Sequence, residues 1–563
     1  MTFSLITGYY PSKHIIVRFI ILLLLLTLIF CSKESTGTSD RVSETTIKLD
    51  SIETDPWWND AVFYEIFVRS FYDSNADGVG DLQGIIQKLD YLNDGNPNTD
   101  SDLGVTALWL MPIFPSPSYH GYDVTDYRKI NEQYGTMNDF KALINAAHVR
   151  GIKIVIDFVG NHTSDQHPWF MASASSESKR DWYLWNSNKP SYNGPWGQEV
   201  WHERNSSYYY GIFWGGMPDL NYTNHEVTNE IKNTLRFWKE EVGVDGFRID
   251  AVKHWIENGD QQENTVATLA WWRDLYVFQK SLDPGLMMVG EAWTSTQNIA
   301  PYSDKRLDYC FEFDLSYALI DGINTQTNSE LKSKMSEIIS TYEPNQYGTF
   351  LTNHDQDRSF YRFGMDERKA KLAARILLSL PGIPYIYYGE EVGMLGKKPD
   401  EDIRRPMQWS SSANAAFSST EPWHPLNNNY ANYNVANQQL ESESIWSQYQ
   451  IWIKQRTLNT ALRSGTYDFI ESNNSRMFSY LRADSESNTA FAVIHNLSSQ
   501  NTDDITIRIN NSSLNEGKYN LINILNNQNV GSVNVSSSGA FNTTLSEVKL
   551  AAFGSFLLKL EGS

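Results

Sequence analysis

The apolar residues of this chain fall in short unbroken runs. AVFYEIF (61–67), VTALWL (105–110), IKIVID (152–157) and VDGFRI (244–249) come first. LMMVG (286–290), YGTFLT (347–352) and PYIYY (384–388) follow, with a weaker run, YCFEFD, at 309–314. Between them, 81–92, 138–150, 224–240, 264–280, 328–342 and 367–379 carry helical patterns. A run that is apolar throughout predicts a strand covered on both faces, as in a parallel sheet. Eight such strands alternating with helices predict an α/β fold, a (β/α)8 TIM barrel.

The rhythm breaks in three places. Residues 163–218 are rich in Trp, Tyr, Asn, Pro and Gly and predict a subdomain inserted after the third strand. From 465 to 563, RMFSYLRA, AFAVIHNL, ITIRIN and AAFGSFLLKL predict a C-terminal antiparallel β-sandwich. The barrel then takes 56–162 and 219–464. At the front, IIVRFIILLLLLTLIF (15–30) follows Lys13 and His14 and stops at Cys31. An apolar run ending on a lone cysteine, then a polar stretch over 31–55, resembles a bacterial lipoprotein signal (1–30) and its tether. The expectation is an exported, lipid-anchored protein facing the periplasm or the cell exterior. Cys310 would then be the only remaining cysteine, so no internal disulfide is expected.

Charge narrows the partners. The 563 residues carry 67 acidic and 46 basic side chains, a net charge of −21, which argues against nucleic acid as a partner. Aromatic content changes the picture more. Many of the 18 Trp, 31 Tyr and 26 Phe lie in polar, Gly- and Asn-rich segments, where flat rings suit sugars.

Chemistry in a barrel sits where strands end. Asp157 ends the third run, followed by Asn161 and His162. Arg248 and Asp250 end the fourth, with an i,i+2 spacing that puts both on one face. Glu291 ends the fifth, and His354 and Asp355 follow the seventh. Four acid-bearing segments at strand ends are hard to dismiss as helix caps or surface charges.

These four segments resemble the signature regions of the α-amylase superfamily of retaining glycoside hydrolases. MPDLN (217–221) resembles a fifth, in the form of a subgroup between oligo-1,6-glucosidases and neopullulanases whose members are often α-amylases, some of them lipoproteins. The resemblance implies Asp250 as nucleophile, Glu291 as general acid and base, and Asp355 as the residue that holds and distorts the sugar. It implies Arg248, His162, His354 and Tyr122 around the reacting ring, with Asp123 and Asp157 in support. Lys253 and His254 would contact the glucose on the leaving side. Trp196, Trp201, Trp214 and Trp293 are candidate sugar platforms. Related exo-acting glucosidases carry an Asp where this chain has Tyr119, which favours endo-attack on α-1,4-glucan; RRPMQW (404–409) resembles the exo-acting relatives. The expected function is therefore α-amylase, acting on starch, glycogen or maltooligosaccharides as a monomer. The alternatives are an oligo-α-glucosidase, a neopullulanase-like hydrolase, an α-glucan transglycosylase or, with less support, a non-catalytic starch-binding protein.

Residues 73–81, DSNADGVGD, place Asp73, Asn75, Asp77, Val79 and Asp81 as oxygen ligands around a tight turn at Gly78. Alternate hard oxygens suit Ca2+. The position twelfth in the loop is Gly84, so this is not an EF-hand; it resembles the calcium loop of related amylases. A second calcium site would use Asn161 and Asp219.

Overall fold

The computed structural model describes residues 56–175, 178–546 and 548–562. The lipoprotein-like signal (1–30), Cys31 and the tether (31–55) lie outside the described residues. Among the described residues, no helix is long and apolar enough to cross a membrane.

Among the described residues, eleven strands precede residue 390. They are β1 (Phe63–Ile66), β2 (Ala107–Leu110), β3 (Lys153–Phe158), β4 (Trp185–Asn186), β5 (Trp201–Arg204) and β6 (Ser207–Tyr210). Then come β7 (Gly246–Ile249), β8 (Met287–Gly290), β9 (Tyr309–Phe311), β10 (Tyr347–Phe350) and β11 (Ile383–Tyr387). Eight of them close a parallel barrel in the order β1-β11-β10-β9-β8-β7-β3-β2. The continuous apolar runs have a simple cause. Phe63, Trp109, Val155, Val289, Phe311 and Tyr385 fill the barrel interior. Their neighbours Tyr64, Leu108, Ile156, Met288 and Ile386 face the surrounding helices. Both faces are buried, so alternation disappears.

The weaker run at 309–314, sixth in chain order, is only partly a strand. β9 stops at Phe311, and a helix starts at Phe313 and runs to Thr325. The predicted helix over 224–240 holds to Arg236 and then widens into a π turn over Phe237–Val242.

The insertion is a small antiparallel sheet, β4-β6-β5, lying in the chain between β3 and β7. After the barrel, nine more strands follow among the described residues. They are β12 (Thr466–Phe469), β13 (Glu471–Ser472), β14 (Met477–Asp484), β15 (Thr489–Asn496), β16 (Ile505–Ile509) and β17 (Gly517–Asn523). The last are β18 (Gln528–Val535), β19 (Phe541–Leu545) and β20 (Ser555–Gly562). They form a six-stranded sheet, β12-β14-β15-β20-β17-β18, and a three-stranded sheet, β13-β16-β19. On β14 the two-residue period does double duty. Phe478 and Tyr480 pack with the barrel helices, while Met477 and Leu481 pack with the smaller sheet. The segment AAFG (551–554) precedes the last strand rather than joining it; Phe553 sits at φ 52 in a turn.

Candidate active site

The interior register of each strand leads from core to chemistry. Phe63 is followed two residues on by Glu65, Val155 by Asp157, Gly246 by Arg248 and then Asp250, and Val289 by Glu291. Period two keeps each on the barrel-facing side, and the sequence turns polar where the strands end.

Arg248 organises the group. Its Nη1 donates to Asp157 Oδ1 at 2.9 Å and to Asp250 Oδ1 at 2.8 Å. Its Nη2 lies 3.2 Å from Glu291 Oε2. Glu291 Oε2 also accepts from the Ala251 N–H at 3.1 Å. A single buried guanidinium therefore touches three carboxylates. Burial pushes Asp250 up to about 6; Arg248 opposes the rise and Asp157 adds to it. Burial also raises Glu291, against Arg248 and with Asp250. Asp157, fully buried, is raised for the same first reason.

Asp355 differs. Burial would raise its carboxyl, but His354 and then Arg404 hold it well below the usual range. His354 Nε2 lies 3.2 Å from Asp355 Oδ2, and Arg404 Nη2 donates to Asp355 Oδ1 at 2.8 Å. Arg404 also reaches Asp400 at 3.2 Å.

These groups border a cavity of about 650 Å³. Of the residues singled out in the sequence, Asp250, Glu291, Asp355, Tyr122, His162, Lys253 and His254 line it, as do Trp196, Trp214 and Trp293. The three tryptophans are exposed, at 58%, 53% and 38%, as rings offered to a ligand must be. Trp293 is braced on Phe313 with ring centroids 4.7 Å apart. Lys253 donates to the Trp293 carbonyl at 3.0 Å and pairs with Glu263 at 2.7 Å. His254 and His162 are both pushed down to about 4 by burial. His162 Nε2 bonds the Tyr122 carbonyl at 3.0 Å, and its buried Nδ1 has no partner among the described residues.

The other expected residues lie behind the wall. Arg248, Asp157 and His354 are buried beneath it. Asp123 accepts from Ser116 and Ser118 and so braces the loop before Tyr122. Trp201 is a correction: it is packed edge-on against Tyr210 inside the insertion, away from the cavity. It lies on β5 of a sheet with its own small core, whereas the exposed tryptophans lie in loops.

Four residues escaped the sequence reading as site residues: Glu65, Arg404, Asp400 and His120. Glu65 was hidden inside an apolar run, where a lone acid on an interior face was the available signal. Arg404 and Asp400 reach the cleft from a segment far along the chain, and His120 precedes Tyr122 by two residues.

The expected calcium loop is a set of nested turns. Asp73 Oδ1 accepts from the Ala76 N–H at 2.8 Å, and its Oδ2 from Gly78 N at 2.8 Å and Ser418 Oγ at 2.6 Å. Asn75 and Asp77 accept from Asp77 N and Val79 N, and Asp81 caps the helix Leu82–Leu92. Gly78 has φ +87, and a Cβ there would meet the Glu421 carbonyl oxygen at 2.4 Å, so glycine is required. No ion pair reaches Asp73, Asp77 or Asp81 among the described residues. Neither is any group of three or more His, Cys, Asp or Glu side chains placed to hold a metal. Elsewhere, Asn161 Nδ2 donates to Asp219 Oδ2 at 3.1 Å, and Asn161 Oδ1 is buried without a partner. Burial raises Asp219 and lifts nearby Glu257 to about 8.

Two acids sharing one guanidinium at a parallel-barrel rim, under an aromatic-walled cleft, define a barrel glycoside hydrolase. Residues 65–465 match the family described as the alpha amylase catalytic domain. The chain belongs to the α-amylase family. It is 41% identical over 452 residues to Alpha-amylase 3 of Dictyoglomus thermophilum, covering 79% of this chain and 86% of that protein. It is 33% identical over 508 residues to an oligo-1,6-glucosidase of Parageobacillus thermoglucosidasius, covering 76% and 88%. Among solved structures, the alpha-amylase from H. orenii superposes with a TM-score of 0.75 at 36% identity, over 89% of this chain and 99% of that one.

Proposed function

We propose that the protein hydrolyses α-1,4-glucosidic bonds within α-glucan chains by double displacement. The observation that carries this is the Arg248 guanidinium, in contact with Asp250 and Glu291 at once. Retention needs two carboxyls only about 5 Å apart, without room for a water between them. In the first step a carboxylate oxygen of Asp250 bonds to the anomeric carbon. The bond to the leaving oxygen breaks as Glu291 gives that oxygen its proton. In the second step Glu291 takes a proton from water, and the water oxygen displaces Asp250. At neutral pH Asp250, at about 6, is largely ionised, as a nucleophile must be. Burial of Glu291 favours the protonated acid. Asp355, held ionised, suits gripping two sugar hydroxyls. Trp196, Trp214, Lys253 and Trp293 supply the leaving side with platforms and a cation.

Endo-attack is favoured by Tyr119 and by the similarity to two proteins named alpha-amylase. The second reading, exo-attack on short oligosaccharides, is favoured by Arg404 and Asp400, which crowd the cleft beside Asp355. Soluble starch separates the two: rapid viscosity loss with mixed maltooligosaccharides is expected, and glucose released alone from chain ends would overturn the endo reading.

Two further parts belong to the proposal. Ca2+ would sit at the loop of Asp73, Asn75, Asp77, Val79 and Asp81, where hard oxygens without a cationic partner fit it chemically. Asn161 and Asp219 form a second candidate, supported by the unpartnered Asn161 Oδ1. The metal's contribution is structural, and no catalytic step passes through it. Cys31 would carry a lipid that holds the enzyme at the membrane. Incorporation of labelled fatty acid, lost in Cys31→Ala, tests that part.

A further inference from the structure

The ring of His354 lies between two carboxylates. Nδ1 is 2.6 Å from Glu65 Oε1, and Nε2 is 3.2 Å from Asp355 Oδ2. Nε2 is also 2.6 Å from the Tyr122 hydroxyl. That hydroxyl gives its own proton to Asp157 Oδ2 at 3.0 Å, so its oxygen is free to accept. Every polar neighbour of the ring is thus an acceptor. A neutral imidazole has one N–H and would turn a lone pair toward one of the two carboxylates. Only the imidazolium satisfies both sides.

The remaining neighbours do not change this. Trp109 meets the ring edge-on at 5.5 Å. Arg404 donates to the His354 backbone carbonyl at 2.9 Å and is itself neutralised by Asp355 and Asp400. Glu65 is 2% exposed, does not line the cleft, and has no ion-pair partner besides His354 among the described residues.

We propose that Glu65, on the first barrel strand, is a positioning residue: it holds His354 as an imidazolium that donates from both nitrogens and so fixes Asp355 and Tyr122 around the reacting sugar. The charge chain is continuous. Glu65 orients His354, His354 anchors Asp355 and Tyr122, and Tyr122 leads through Asp157 to Arg248 and Asp250. Burial alone would favour neutral His354, but Asp355 and Glu65 outweigh it and raise the ring to about 9. Removing Glu65 leaves burial opposed chiefly by Asp355.

The role of Asp355 rests on the proposed hydrolysis, so the decisive readout needs no substrate. In the full chain with ¹⁵N-histidine, the His354 ring is assigned by its disappearance in His354→Gln. At neutral pH both ring nitrogens are expected to be protonated in the native enzyme. In Glu65→Gln the ring titrates more than two pH units lower, from about 9 to below neutral, and so reads neutral at that pH. Its kcat on maltooligosaccharides falls about 10²-fold with little change in KM, as misplacement of a reacting group does. Glu65→Asp, which keeps the charge, restores the imidazolium in part, and serves if the glutamine variant does not fold. A His354 ring that stays doubly protonated in Glu65→Gln, or an unchanged kcat, would overturn the proposal. Lack of glucan hydrolysis by the native enzyme would sink the functional reading and leave the ring titration standing.

Discussion

Two of the regions that bury arginine treat it differently. At the cleft, Arg248 is met by Asp157, Asp250 and Glu291, and Arg404 by Asp355 and Asp400. At the seam between barrel and C-terminal sheets, Arg456 is met by the carbonyls of Leu378, Leu380 and Gly382. Arg482 likewise donates to the carbonyls of Ser379, Thr466 and Gly465. The seam uses dipoles, which do not titrate; the cleft uses carboxylates, which do. The first arrangement serves stability at any ordinary pH. The second stores charges whose protonation can change during a reaction.

The largest expected effect lies at the cleft. Asp250→Asn should lower kcat by about 10⁴-fold, the scale seen when a triad carboxylate is removed from another hydrolase, while thermal unfolding shifts little. Full activity would refute the nucleophile assignment. At the seam the pattern should reverse. Arg456→Met removes the donor to three buried carbonyls and should cost at least about 3 kcal/mol in denaturant unfolding, since each such group left unpaired costs about 1–3 kcal/mol. Its kcat per folded molecule should stay near the native value; a parallel loss of kcat would erase the distinction between the regions.

The pH dependence sharpens the contrast. Asp250 is raised, to about 6, so kcat/KM should fall on its acid side with an apparent value near 6 belonging to the coupled carboxylates. For stability the sign is opposite. A raised carboxylate binds its proton more readily when folded, so acidification through about 6 relieves the cleft. Asp355, held low, contributes stability that is lost only as pH falls below the usual carboxylate range. Activity should therefore vanish before the circular-dichroism signal does; simultaneous loss would mean that acid unfolds the enzyme.

A smaller effect is expected from chelation. If the 73–81 loop binds Ca2+, EDTA should lower the melting temperature, by about 2.7 kcal/mol of stability for a site held at a hundred times its Kd. Unchanged metal content and melting temperature would remove calcium from the account. Smallest is Trp214→Ala, expected to raise KM for long maltooligosaccharides with folding intact. Trp201→Ala should instead destabilise the fold, since it empties part of the insertion's core.

How much of this was legible from the chain varies by element. The strands around Phe63, Trp109, Val155 and Met288 announced themselves because both faces are buried. Phe313 did not: it continues an apolar run, yet starts a helix, because β9 pairs with its neighbours only through Phe311. Asp250, Glu291 and Asp355 could be read because strand ends turn from apolar to polar abruptly. Trp201 and Trp214 could not be told apart, since composition does not say which ring a small sheet will cover.

The sequence by itself determined the barrel, the order of its strands and the acids at their ends, because local burial periodicity and polarity are written residue by residue. Only the tertiary structure decided the partners. Asp157 and Arg248 pair across neighbouring strands β3 and β7, 91 positions apart. Glu65 meets His354 across 289 positions, and Arg404 meets Asp355 across 49. A carboxyl's charge in a buried site depends on which cation stands within a few ångströms of it, and closure of the barrel sets that distance.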